Sequence, residues 1–286
     1  MTPVTKALLL DGDALAVRLR ADLASRVTAL RQRGHSPCLA TLLIGDHSAS
    51  DAYVARKHAD CAEIGITSKD IRLPHDIDPQ AALAEIAALN ADPSVHGFLV
   101  QLPLPDHLDA QTLIEAVDPA KDIDGLHPVN LGRLVAAAPG LRPCTPQAIL
   151  ALLRAYNIPL AGRSVVIVGR GALVGRPLAM LLSLPGTDAT VTLLHRQSAN
   201  SAAAIAAADV VISAAGVPDL IRGAMIKPGA AVVGVGISYD AAGQMVSDIA
   251  ADVGQIARWV TPRHGSVGAL TRAFLLSNLV TAMEQP

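Results

Sequence analysis

Apolar positions along the first half of the chain alternate between helical and strand periods. Leu15, Leu19, Leu23, Val27 and Leu30 recur at helical spacing between arginines, which predicts an amphipathic helix over 14–33, ended by Gly34. Leu39–Ile44 is a short apolar run closed by Gly45-Asp46, the pattern of a buried strand before a turn. Ser50 to Ile66 then reads as a helix, capped by Ser48 or Ser50 and stopped by Gly65. A strand near Thr67–Leu73, a helix from Pro79 to about Asn90 and a strand over His96–Val100 continue the alternation. Pro103 and Pro105 cannot sit in a central strand, so the chain turns at Gln101. A helix over 107–117 and a polar loop, Asp118 to Pro128, come next. Pro143-Cys144-Thr145-Pro146 then opens a helix to about Tyr156, with Thr145 as N-cap and Pro146 in its first turn.

The second half begins with Ser164–Val168, a continuous apolar run of the kind buried on both faces of a parallel sheet. Gly169, Gly171 and Gly175 follow, and then an apolar helix to Leu184. Ala189–Leu194, Asp209–Ala214 and Ala230–Gly236 read as further strands, with a helix at Ser201–Ala207 between the first two. This alternation predicts a doubly wound parallel sheet. The last segment carries a glycine-rich turn and an apolar helix over Thr271–Ala282, expected to return to the first domain. The expected division is 1–142 with 271–286, and 143–270.

Composition narrows the function classes. With 286 residues and 51% hydrophobic content the chain can build two cores, filled by aliphatic residues because aromatics are only 2%. A net charge of −2 gives no reason to expect nucleic acid or a membrane surface as partner. Cys38, Cys61 and Cys144 are scattered, without metal-ligand spacing, which points to a reducing, cytoplasmic setting and no metal. No signal peptide or membrane span is expected. Lysine is confined to residues 6, 57, 69, 121 and 227 among many arginines, and lysine, unlike arginine, loses its proton when desolvated.

Three places carry candidate chemistry. Tyr53 and Lys57 are four apart, hence on one helical face: an aromatic plate beside an amine, near the carboxyl end of a strand. The same spacing also describes a core tyrosine under a lysine stem. Gln101 places an amide at a strand's carboxyl end, where open α/β sheets bind ligands. The Asp118–Pro128 loop gathers Asp118, Lys121, Asp122 and Asp124, which on composition alone better suits a solvated turn. Between a strand and a helix, Gly169-Arg170-Gly171-Ala172-Leu173-Val174-Gly175-Arg176 is one residue longer than the usual dinucleotide fingerprint but keeps its logic. The glycines let the backbone approach a pyrophosphate. The next strand ends in His195-Arg196 rather than in an acid for a ribose hydroxyl, and a cation there favours a 2′-phosphate, hence NADP over NAD.

Five stretches together resemble the bifunctional methylenetetrahydrofolate dehydrogenase/methenyltetrahydrofolate cyclohydrolase family. They are Gly45-Asp46 through Lys57, Val100–Pro105, Lys121–Gly125 with Pro128-Val129-Asn130, Pro143–Pro146, and Val168–Pro177. The resemblance implies two α/β domains around a folate cleft, the C-terminal one Rossmann-like, and a homodimer. It implies oxidation of 5,10-methylenetetrahydrofolate with NADP and hydrolysis of the methenyl product to 10-formyltetrahydrofolate. Lys57 maps to the family's catalytic lysine, Gln101 to its partner, Asp124 to the pterin-binding acid and Tyr53 to the stacking ring. Pro262 and Gly265 map to folate contacts. Gly169, Arg170, Gly171, Val174, Gly175, Arg176, His195, Arg196, Ala215, Gly216 and Ile237 map to the cofactor site.

The chain departs from the family pattern mainly in the second half. Gly171 and Arg196 replace serines, Ala148 a glycine, and Ser247 the glycine before Asp248. The segment Thr261–Thr271 reads T-P-R-H-G-S-V-G-A-L-T where the family has T-P-V-P-G-G-V-G-P-M-T. The alternatives are a member with cyclohydrolase activity alone, NAD as cofactor, or a non-catalytic binding paralogue. The last would be marked by loss of Lys57 or Asp124, and both are present.

Overall fold

The computed structural model describes residues 7–46, 48–239 and 245–284. The chain begins with β1 (Leu8–Leu9), α1 (Gly12–Gln32), β2 (Cys38–Ile44), α2 (Ser48–Glu63), β3 (Thr67–Leu73), α3 (Pro79–Ala91) and β4 (Gly97–Val100). Next come α4 (Ala110–Glu115), α5 (Pro128–Val135), α6 (Cys144–Ala155), β5 (Ser164–Val168), α7 (Gly175–Ser183), β6 (Thr190–Leu194), α8 (Ser201–Ala207) and β7 (Val210–Ser213). It ends with β8 (Ala231–Gly234), β9 (Ile237–Tyr239), β10 (Met245–Ser247), β11 (Trp259–Val260) and α9 (Val267–Glu284). No helix among the described residues is long and apolar enough to cross a membrane.

Two compact units result. One holds the segment through Leu15 together with Thr145–Thr271; the other holds Ala16–Cys144 and the chain from Arg272 onward. This grouping differs from the expected 1–142 at the N-terminus. Leu8 and Leu9 instead pair in parallel with Trp259 and Val260, so β1 is an edge strand of the second-half sheet. A two-residue strand carries too little pattern to show which sheet it joins.

The unit of Ala16–Cys144 is built on a three-stranded parallel sheet, β3-β2-β4. Every residue of β2, the central strand, is buried, which is why its run is apolar without alternation. One core joins Leu23, Val27, Leu30, Leu39 and Cys61 to Leu275, Leu276, Leu279 and Val280 of α9. The other unit is a six-stranded parallel sheet ordered β1-β11-β8-β7-β5-β6, with a separate antiparallel pair, β9 and β10. The order reverses on either side of β5, whose carboxyl end leads into the glycine loop. That is the switch-point geometry of doubly wound sheets.

Local chemistry accounts for several boundaries. Asp78 accepts from the N–H groups of Gln80 and Ala81, so α3 starts at Pro79. Asp109 caps α4 through Thr112, which makes that helix shorter than the expected 107–117. Helix α6 starts at Cys144, just before the expected cap. Helix α5 was not foreseen: it is eight residues long, and His127 caps it through its ring nitrogen to Val129 N–H. Histidine is an uncommon cap, and the preceding loop masked the signal.

Candidate active site

Lys57 lies one turn after Tyr53 on α2, and the structure brings it to Gln101. The Lys57 Nζ donates to Gln101 Oε1 at 2.9 Å. Both side chains are buried, Lys57 being only 6% exposed. Gln101 is itself fixed: its backbone N–H donates to Leu42 O at 2.8 Å and its Nε2 to Leu102 O at 2.6 Å. The amide oxygen therefore has a fixed direction, and it meets the amine as a neutral acceptor. The Lys57 amine also lies 4.8 Å from the Tyr53 ring centroid. A core tyrosine under a lysine stem does not describe this geometry, because the ammonium end does not reach solvent.

Burial pulls the Lys57 amine below the usual lysine range, and the Asp124 carboxylate pulls it partly back. Burial, with Asp124 second, pushes the Tyr53 phenol up. Asp124 thus acts electrically on both, while itself half-buried.

The polar loop that presents Asp124 is a folded latch rather than a solvated turn. Lys121 Nζ donates to the carbonyls of Leu89, Asn90 and Asp92 at 2.9, 2.8 and 2.7 Å. Phe98 N–H donates to Lys121 O, which lays the loop along β4. Asp122 is buried and accepts from His127 N–H and Asn130 Nδ2, both at 2.8 Å, and from Leu126 N–H at 3.2 Å. Its burial pushes the carboxyl up to about 6 despite those donors. At Gly125 φ is +73°, and a side chain there would strike the Arg142 carbonyl and Pro143. The turn after Asp124 is thereby held against Arg142 and Pro143, and Cys144 N–H donates to Asp124 O at 3.2 Å.

The second unit holds the glycine loop. Gly169 has φ +116°, a region side chains avoid, and its N–H donates to Leu194 O at 2.9 Å. A Cβ at Gly169 would run into the Ala214 carbonyl, and one at Gly175 into the Gly169 carbonyl. Gly171 has open space around its Cα. No side chain caps α7, although Arg176 N–H is taken by Gly171 O at 3.1 Å and Pro177 has none. The side chains of Arg170, Arg176 and Arg196 are exposed. Val174 and His195 are half-buried; Ala215 and Gly216 are exposed beyond β7. Ile237 opens β9, and its side chain lies outside the described residues. These residues fit a dinucleotide: tight glycines at a strand–helix turn, flanked by exposed cations.

Against this geometry the comparisons are decisive. The family model described as tetrahydrofolate dehydrogenase/cyclohydrolase, catalytic domain, matches residues 10–124, and the corresponding NAD(P)-binding domain matches 143–286. The chain belongs to the tetrahydrofolate dehydrogenase/cyclohydrolase family. Among solved structures it is 40% identical to the bifunctional dehydrogenase/cyclohydrolase of Campylobacter jejuni, with a TM-score of 0.93, covering 96% of this chain and 98% of that one. A 5,10-methylenetetrahydrofolate dehydrogenase from the silkworm, Bombyx mori, is 37% identical with a TM-score of 0.92, over 96% and 97% of the two chains. The Trypanosoma brucei dehydrogenase-cyclohydrolase, solved with NADP cofactor and inhibitor, is 36% identical over 98% of each, also at 0.92.

Two places where this family member departs from the family pattern are held by contacts that the sequence does not show. Asp248 is completely buried, and its Oδ2 accepts from Ser213 Oγ at 2.8 Å, Ala215 N–H at 2.9 Å and Gly216 N–H at 3.2 Å. Its Oδ1 accepts from Val217 N–H at 2.9 Å. One carboxylate thus shapes the loop beyond β7. The signal in sequence was an acid inside an otherwise apolar stretch. Asp248→Ala is expected to destabilise the protein by on the order of 3 kcal/mol, because four donors lose their acceptor. Thermal or denaturant unfolding measures this.

The second is the altered Thr261–Thr271 segment. Ser266, in a family glycine's place, keeps positive φ at 64°. Its hydroxyl donates to Leu10 O at 2.8 Å and accepts from Gly12 N–H at 3.1 Å. Its N–H donates to Asp13 Oδ2 at 2.7 Å. Gly265 has φ +83°, with Asp13 Oδ2 2.7 Å from where a Cβ would sit. Pro262 is half-buried and Gly265 exposed. The substitution is built into a local network and does not break the turn.

Proposed function

We propose that Lys57 moves the protons of methenyltetrahydrofolate hydrolysis, steered by Gln101, and that Tyr53 and Asp124 bind the pterin. The carrying observation is the buried Lys57 amine 2.9 Å from a neutral amide oxygen. The methenyl group is an amidinium-like cation, and a protonated lysine beside it would be repelled. A desolvated amine, biased toward its neutral form, takes a proton from the attacking water as the C–O bond forms. Returning that proton to the folate N5 lets the C–N5 bond break with its electron pair going to N5, and the remaining hydroxyl proton then leaves to water, so the formyl group stays on N10 and one proton is released overall. Gln101 accepts from the amine without adding charge, so it orients the base without locking it protonated. Asp124, a carboxylate, accepts two parallel hydrogen bonds from a pterin's amino and ring N–H groups.

The same chain carries the dehydrogenase activity. When bound, the nicotinamide supplies the hydride acceptor for methylenetetrahydrofolate. Gly169, Gly171 and Gly175 let the backbone approach the dinucleotide, and Arg196 with Arg170 supports NADP through its 2′-phosphate. Pro262 and Gly265 complete the folate contacts in this reading. The assembly in this reading is a homodimer, and the setting is a reducing, cytoplasmic one, which the buried free thiols of Cys38, Cys61 and Cys144 support.

Separate assays of NADP reduction with methylenetetrahydrofolate and of methenyl hydrolysis test both activities. Arg196→Ser tests cofactor choice. The expected result is a rise of about tenfold in KM for NADP, the loss of one charge-assisted contact, with little change for NAD. Equal changes for both dinucleotides would remove Arg196 from the phosphate site.

A further inference from the structure

Asp60 is one turn beyond Lys57 on α2 and is 7% exposed, yet it faces two cations. Arg272, on α9, donates from Nε to Asp60 Oδ2 at 2.6 Å. Arg20, on α1, has Nη1 3.8 Å from Asp60 Oδ1 and donates from Nε to Glu63 Oε2 at 2.9 Å. The Arg272 guanidinium carbon lies 5.9 Å from the Tyr53 ring centroid. Tyr53 therefore has two nitrogen groups against it, the Lys57 amine and the Arg272 guanidinium, and the second is tethered by a buried carboxylate.

We propose that Arg272, held by Asp60, is a positioning residue for hydrolysis: its guanidinium fixes the Tyr53 ring against the Lys57 amine. This rests on the assignment of Lys57 made above. A buried ion pair is weak grounds for stability alone, since apolar replacements are often neutral. Here the pair does something an apolar replacement would not, because a planar cation packs against the aromatic ring that borders the amine. It also contributes a field. Among the charged or titratable groups acting on Lys57, Asp124, Cys144 and Cys61 favour its protonated form, and Arg272, with burial, favours the neutral one; His58, its chain neighbour, acts in the same direction as Arg272 only when protonated, and burial holds its pKa down. Tyr53 and Gln101 add neutral contacts. Arg272 is thus the charged side chain that opposes Asp124 at the amine.

The test uses the full chain and the pH dependence of hydrolysis. Removing a charge that favours the neutral amine raises the Lys57 pKa, so the limb on which rate climbs with pH moves to higher pH. Arg272→Met is expected to lower kcat about tenfold, a cost typical of mispositioned groups, and to move that limb upward. Arg272→Lys keeps the charge and is expected to restore the limb with only part of kcat. Asp60→Asn frees the guanidinium without removing it, so kcat falls while the limb stays. If Arg272→Met keeps the wild-type kcat and limb, the proposal is overturned. It is equally overturned if activity tracks only the folded fraction, with an unmoved limb and no rescue by Arg272→Lys. Should Arg272→Met fold poorly, Arg272→Lys and Asp60→Asn, read on folded protein, decide by the same split. Lys57→Met runs in parallel: wild-type hydrolysis there sinks the Lys57 assignment, whereas an inert Lys57→Met beside an unchanged Arg272→Met sinks the Arg272 role alone.

Discussion

Lys57→Met is expected to lose methenyltetrahydrofolate hydrolysis by about 10²- to 10⁴-fold, the range supplied by a positioned acid–base group, while the protein folds. Methionine matches the lysine stem in length and removes the amine, whose burial opposes its charge. The cost to the fold is the orphaned Gln101 oxygen, about 1–3 kcal/mol, set against relief of the buried amine. Tyr53 and Asp124 remain, so folate binding is expected to persist. The rate of the parent enzyme should climb with pH through a range below that of free lysine, because burial lowers the Lys57 pKa and the neutral amine is the active form. The variant should lack that limb. Stopped-flow hydrolysis across pH, with folate binding by fluorescence, measures all three. A variant that hydrolyses at the parental rate would remove Lys57 from the chemistry.

What could be read from residues alone follows the physics of each element. Strands β2 and β5 were legible because a strand buried on both faces must be apolar throughout, and α1 because its leucines keep a helical period. The Lys57–Gln101 pair was legible as two separate polar residues in the right kinds of place. Their 2.9 Å contact was not, since 44 residues of chain separate them and only the parallel pairing of β2 with β4 brings Gln101 near α2. Lys121 and Asp122 looked like solvated turn residues because turn chemistry and buried capping use the same side chains. Only the position of the carbonyls of Leu89, Asn90 and Asp92 distinguishes them. Arg272 carried no signal at all: a lone arginine in an apolar helix is ordinary until its partner, Asp60, appears 212 residues earlier.

Gly175→Ala is expected to separate the two activities. A Cβ at this position would overlap the Gly169 carbonyl and crowd Arg170 Cα at 3.0 Å, and neither is the yielding end of a side chain. The loop must open, moving Gly169 away from the Ala214 carbonyl that it packs against and displacing Arg170 and Arg176 together. Overpacking of this kind costs about 1–3 kcal/mol, and when the loop moves that cost falls on cofactor binding. The expected loss in kcat/KM for NADP is therefore about hundredfold, carried mostly by KM. Lys57, Gln101, Tyr53 and Asp124 all belong to the other compact unit, and hydrolysis uses no nicotinamide. Methenyl hydrolysis should accordingly stay within about twofold of the parent, a change too small to register as lost transition-state stabilisation. A thermal scan of the variant separates a displaced loop from an unfolded unit. An unaltered KM for NADP in folded Gly175→Ala would show that the glycine loop does not hold the cofactor. Hydrolysis falling in step with reduction would show instead that the amine at residue 57 depends on the nucleotide unit, contrary to the mechanism drawn from its buried contact with Gln101.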